Sequence, residues 1–114
     1  MPHIIVEYSE NLSKINIPVL LADLHDALAA QDTVKKPKIK TRAIPISDLT
    51  VGEHEDLDEM VHIVLKLLEG RPDELRKAMA ETLFGIACGA VKSVYSNCSV
   101  TVEVVEMDPI TYIG

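Results

Sequence analysis

Proline follows Met1, and the next run, HIIVEY, is made of strand-forming residues. Pro2 reads in two ways. It is a stiff first residue of that strand, or it is a reagent. With a small residue in second place Met1 is normally removed, which leaves a secondary amine at the chain terminus. An ordinary terminal amine titrates at about 7.7–8.0, and an apolar pocket with neighbouring cations pushes it lower because both penalise the ammonium form. A base tuned near the operating pH is what proton shuttling requires. Three cations stand at informative places. Lys40 and Arg42 are two apart in IKTR, so on a strand they share one face. Arg71 lies between Gly70 and Pro72, and its planar fork suits a carboxylate. The competing accounts are a solvated strand face for the first two and a surface ion pair with Glu69 or Glu74 for Arg71.

Other chemistries find little support. The four histidines are spread over a strand (His3), a helix (His25), an acidic loop (His54) and a second strand (His62). No H-x₃-H or C-x₂-C spacing accompanies them, so no metal site is expected. The run GEHEDLDE lacks the alternating ligands and the closing Glu of an EF-hand, and reads as a solvated loop. Cys88 and Cys98 read as reduced filler. The net charge of −7 counts against nucleic acid, whose phosphates need a basic face. Local cations would have to draw in a small anion against that field. No apolar run approaches the ~20 residues of a membrane span, and the N-terminus lacks a signal peptide's basic head and apolar core. The expected location is the cytoplasm.

The elements that must position these residues are legible from pattern. The 114 residues are 47% apolar but only 4% aromatic, which suits one domain with an aliphatic core. His3–Tyr8 is a strand. Asn16 caps a helix with Pro18 in its first turn and Leu20, Leu21, Leu24, Ala27 and Leu28 at helical spacing. VKKPKIK is a basic, proline-marked connector into the strand IKTRAIPI, which Pro45 ends or confines to a sheet edge. MVHIVLKLLEG is an apolar strand closed by Gly70. The longest helix follows, with Asp73 and Glu74 in its first turn. SVTVEVVEM is the last strand, and DPITYIG is an apolar-tipped tail.

HIIVE at His3 and HIVLK at His62 are one strand written twice, 59 residues apart (62 − 3). Carried forward, that offset pairs the two helices and sets Arg42 against Thr101. The chain reads as a single domain, 1–114, built from pseudo-repeats at about 2–50 and 58–114. Each is a unit of roughly 55–60 residues, a size at which one core alone is marginal. Two β-α-β copies give an α+β fold: a four-stranded mixed sheet with two helices on one face. The outward side of MVHIVLKLL is still apolar, which argues for burial against other subunits.

These features converge on a family. LLEGRPDELRKAM and VTVEVVEMDPITYIG resemble 4-oxalocrotonate tautomerase, whose chain is about half as long. MPHIIVEYSENL, IKTR and LLEGR together resemble the double-length members of that tautomerase superfamily, the 5-carboxymethyl-2-hydroxymuconate isomerases. The resemblance spans essentially the whole chain, least securely over the acidic loop. It implies a homotrimer with helices outside and sheets facing inward. It also implies proton transfer without a cofactor, in which Pro2 moves a proton between carbons of an unsaturated 2-hydroxy di- or tricarboxylic acid from aromatic catabolism. Arg71 then matches the arginine that grips a substrate carboxylate. Lys40 or Arg42 holds the enolate or a second carboxylate, and Tyr112 falls near the aromatic residue that closes the pocket. Both strand cations are arginine in the double-length isomerases; here the first is lysine, which keeps the charge but loses the fork. A tautomerase of another unsaturated oxo-acid, or a trimeric binding protein with little turnover, are the alternative readings.

Overall fold

The computed structural model describes residues 2–53 and 58–114. His54 and the centre of the acidic run GEHEDLDE lie outside them. The element order is β1 (His3–Ser9), α1 (Ile17–Ala29), a 3₁₀ turn (Lys36–Lys38), β2 (Lys40–Ile46), β3 (Met60–Leu68), α2 (Asp73–Val91) and β4 (Ser99–Met107). The four strands form one sheet in the order β2-β1-β3-β4. β1–β2 and β3–β4 run parallel, and the two units meet through the antiparallel pair β1–β3.

Local signals account for the elements. Asn16 Oδ1 accepts from Val19 N at 3.1 Å, capping α1, and a proline occupies the first turn where its missing N–H costs nothing. Asp73 and Glu74 stand in the first turn of α2, where a carboxylate complements the helix dipole. Pro45 sits within β2, which its edge position tolerates.

Strand alternation divides the sheet into two unlike faces. Ile4 and Val6 of β1 and Val61, Ile63, Leu65 and Leu67 of β3 are buried on one face. Leu20, Leu24 and Leu28 of α1 cover it together with Met79, Leu83, Ala87 and Val91 of α2. Leu20, Leu24 and Leu28 fall 59 residues before Met79, Leu83 and Ala87, the same interval that separates His3 from His62. Both units thus offer the same three helix positions to one shared core. The opposite face carries His3, Ile5, Lys40, Arg42, His62, Val64, Lys66, Thr101 and Glu103, exposed or half-exposed within the chain.

The interval does not persist into the last strand. β1 pairs His3 with Lys40, and β3 pairs His62 with Thr101, so Thr101 is the counterpart of Lys40, 61 residues on (101 − 40). The counterpart of Arg42 is Glu103, not Thr101 as the uniform offset suggests. The second crossover is two residues longer than the first, and a two-residue shift preserves which face each side chain takes.

Cys88 and Cys98 are free thiols. Burial pushes the Cys98 thiol up to about 11, which keeps it protonated and inert near neutral pH. No described helix is long and apolar enough to cross a membrane.

Candidate active site

Alternation along β1 fixes where Pro2 goes. It shares the helix-side face with Ile4 and Val6 and is buried. Its carbonyl accepts from Lys40 N at 2.9 Å, which extends the β1–β2 ladder by one residue and fastens the start of the chain. Arg71 reaches the same place from the far end of β3. Gly70 adopts φ 126°, a conformation that costs a residue with a side chain dearly, and so turns the chain toward α2. Arg76 Nε donates to the Arg71 carbonyl at 3.2 Å, while its guanidinium pairs with Asp73 and lies 3.6 Å from Glu106. The Arg71 side chain crosses to the α1–β2 connector: Nε donates to Thr33 Oγ1 at 3.2 Å and Nη2 to the Thr33 carbonyl at 3.0 Å.

Pro2 and Arg71 line one cavity of about 290 Å³ with Thr33, Val34, Lys35, Lys38, Leu67 and Leu68. Three of those side chains are cationic and none is acidic, in a chain whose net charge is −7. Val34 and Leu67 make the wall apolar. A guanidinium offers five donors, and the contacts to Thr33 and the Leu68 carbonyl occupy three. Two N–H groups remain for an anion.

Arg42 and Tyr112 meet elsewhere, on the other face of the sheet. They line a cavity of about 460 Å³ that includes His3, Lys66, Val105, Glu106, Asp108 and Thr111. Arg42 Nη1 lies 3.0 Å from His3 Nδ1, and His3 Nε2 lies 2.8 Å from Tyr112 Oη. Arginine only donates, so Nδ1 is the acceptor, and the ring proton sits on Nε2 and is donated to the tyrosine. The His3 and Tyr112 rings also meet edge to face, with centroids 5.8 Å apart. Burial, then Arg42 and Lys40, hold the His3 pKa below its ordinary value. The tail is shaped by Asp108, whose carboxylate accepts from Ile110 N and whose carbonyl accepts from Tyr112 N, both at 2.9 Å.

Within one chain, then, the five residues singled out by sequence fall into two groups on opposite faces. Pro2 and Arg71 are together. Arg42 and Tyr112 are together. Lys40 lines neither cavity, although its backbone N–H holds Pro2 and its side chain shares the Arg42 face. From the sequence, Lys35 and Lys38 stand out only as part of a basic connector and Lys66 not at all. His3 reads as a sheet-face residue, with no sign of its bonds to Arg42 and Tyr112. The repeat of lysine at i and i+3 around Pro37 was the available signal. Among the described residues no cluster of His, Cys, Asp and Glu is arranged to hold a metal.

The family model for 5-carboxymethyl-2-hydroxymuconate isomerase matches residues 2–112. The chain belongs to that family. A 5-carboxymethyl-2-hydroxymuconate Delta-isomerase of Escherichia coli is 33% identical over 87 residues, 74% of this chain and 68% of its own length. The crystal structure of a 5-carboxymethyl-2-hydroxymuconate isomerase from Deinococcus radiodurans R1 superposes with a TM-score of 0.92 at 26% identity, covering 99% of this chain and 87% of the other. A fused 4-OT described as a symmetric trimer shares the fold, with a TM-score of 0.73 at 19% identity over 96% of this chain and 91% of its own. This chain is therefore an isomerase of the tautomerase superfamily. In this isomerase-family chain the two halves differ at matched positions. His3 faces Arg42, whereas His62 Nε2 lies 3.0 Å from Glu103 and its Nδ1 2.7 Å from Thr101.

Proposed function

We propose that the protein isomerises an unsaturated 2-hydroxy (enol) di- or tricarboxylic acid to its 2-oxo form by proton transfer without a cofactor, with Pro2 as general base and then general acid. Its substrate is 5-carboxymethyl-2-hydroxymuconate or a compound of the same carboxylate pattern. The observation that carries the reading is the company Pro2 keeps: a buried proline in an apolar-walled cavity with Arg71, Lys35 and Lys38, and with no carboxylate among the described lining residues. With Met1 removed, the Pro2 nitrogen is a secondary amine. Burial and three nearby cations disfavour its ammonium form, which leaves a fraction of it neutral near pH 7 and able to accept a proton. The same cations favour the dienolate that forms when the 2-hydroxyl gives that proton to the amine. Delivering the proton to a carbon at the far end of the conjugated system turns the enol into the ketone and restores the amine.

Arg71 takes one substrate carboxylate with its two remaining N–H groups. The face bearing Arg42, Lys40 and His3 is the one proposed to meet neighbouring subunits in a homotrimer, which would bring Arg42 and Tyr112 of one subunit toward a site of another. The likeness to a fused protein described as a symmetric trimer supports this assembly.

Two measurements test the catalytic role. Intact mass of the purified protein should show loss of Met1, because retention ties the Pro2 nitrogen into a peptide bond. Pro2→Ala should lower turnover of a dienol dicarboxylate by about a hundredfold, the usual size of a general-base contribution, while the circular dichroism stays unchanged. Equal turnover in the two proteins would remove Pro2 from the mechanism.

A further inference from the structure

We infer that the 3₁₀ turn between α1 and β2 is a second carboxylate subsite, in which Lys35 and Lys38 hold the end of the substrate that Arg71 does not. The inference rests on the reading of the Pro2 cavity as the substrate site, and it assigns the selectivity of that site to this connector.

Geometry carries it. Lys38 N donates to Lys35 O at 2.9 Å and Ile39 N to Lys36 O at 3.2 Å, the i to i+3 pattern of a 3₁₀ turn. Such a turn has three residues per revolution, so side chains at i and i+3 eclipse and leave on one side. Lys35, the extended residue that caps the turn, and Lys38, its last residue, stand at that spacing, and both line the Pro2 cavity. Lys36, between them, leaves in another direction, and its ammonium lies 3.8 Å from Asp26 of α1. Pro37 fixes φ in the middle of the turn and lowers the freedom it loses on ordering. The turn is fastened at both ends: Thr33 accepts twice from Arg71, and Lys40 N donates to Pro2.

The cavity therefore presents a guanidinium from the β3–α2 turn, an ammonium pair from the α1–β2 turn, and Val34, Leu67 and Leu68 between them. That sequence of charge, apolar wall and charge fits a flexible aliphatic dianion. A monoanion of equal length fills the wall but leaves one set of cations unused. At about 290 Å³ the space lies near the lower bound for small-molecule sites, about 300 Å³.

Adipate and hexanoate, equal in chain length and differing by one carboxylate, are the probes. Both are titrated calorimetrically into the intact protein at fixed ionic strength near 0.15 M, since exposed charges are screened over about 8 Å there. Adipate should bind about tenfold or more tighter than hexanoate, the scale of one added charge-assisted contact. Lys35→Gln with Lys38→Gln should remove that preference and leave hexanoate within about threefold of the parent. The paired Lys→Arg variant should retain it, and Lys36→Gln should bind both as the parent does. The inference is overturned if adipate preference survives the double Gln variant, if Lys36→Gln weakens adipate equally, or if neither acid binds. Neither probe is turned over, so a failure here is separate from a failure of the general base, which the Pro2→Ala assay reads.

Discussion

Arg71 holds Thr33 by two bonds, one to the hydroxyl at 3.2 Å and one to the carbonyl at 3.0 Å, across 38 residues of chain. The second half of the molecule thereby supplies the guanidinium, and a connector in the first half aims it. Thr33→Val deletes the hydroxyl acceptor and spares the carbonyl, so the fork keeps one tether and gains play. Loss of one such bond corresponds to about 0.5–1.5 kcal/mol. The expected result is a KM for dicarboxylates raised severalfold with kcat nearly constant. Arg71→Ala should raise KM by more, and much further for a dicarboxylate than for an analogue without the distal carboxylate. Parallel losses on both compounds would show that Arg71 does not act as the carboxylate grip.

His3 supplies a pH dependence whose sign is fixed by its surroundings. Its ring faces Arg42 and Lys40 of β2, Lys66 of β3 and Tyr112 of the tail, in a cavity that Glu106 and Asp108 also line. Its folded pKa lies below the ordinary 6.5, so in the window between the two values the unfolded chain binds more protons. The stability due to His3 is therefore whole above about 6.5 and declines as pH falls toward the folded value. A ring titration by NMR should give a His3 midpoint under 6.5, and His3→Gln should flatten the acid side of the stability profile. A midpoint above 6.5 would contradict the bonding of Nδ1 to Arg42.

The shared core predicts matched costs. Leu24 of α1 and Leu83 of α2 occupy corresponding buried positions, 0% and 1% exposed. Leu24→Ala and Leu83→Ala should each lower unfolding free energy by about 2–5 kcal/mol in urea titrations. Ile110→Ser, at a side chain 82% exposed, should change it by about 0.5 kcal/mol or less unless subunits cover the tail.

Assembly is open to direct measurement. Sedimentation equilibrium at micromolar concentration should return three times the chain mass. A stable monomer would leave Ile5, Val64 and the exposed Ile44 without a cover and would remove the reason for expecting Arg42 beside a neighbour's site.

Much of this architecture is legible from the residues. Asn16 and Pro18 mark a helix start through cap chemistry, and Ile4, Val6, Ile63 and Leu65 mark two strands through period-two burial. The repeated HIIVE and HIVLK runs disclose the two units. What sequence alone could not show is the register of β4, because a longer crossover shifts its partners without disturbing its alternation. Nor could it show which elements close the cavities that Pro2 and His3, adjacent in sequence, line on opposite faces. That separation follows from strand pleating, which sends neighbours to opposite faces. The lysines of the connector were visible as charge, but only the 3₁₀ turn shows which of them share a direction.

Joining two β-α-β units in one polypeptide releases each from having to copy the other. An assembly of identical short chains must repeat every substitution at every equivalent position. Here one histidine faces an arginine while its counterpart 59 residues later faces a glutamate, an electrostatic contrast that strict equivalence forbids. The tandem chain can thus place unlike charges at the two matched positions, and draw one cavity from both halves.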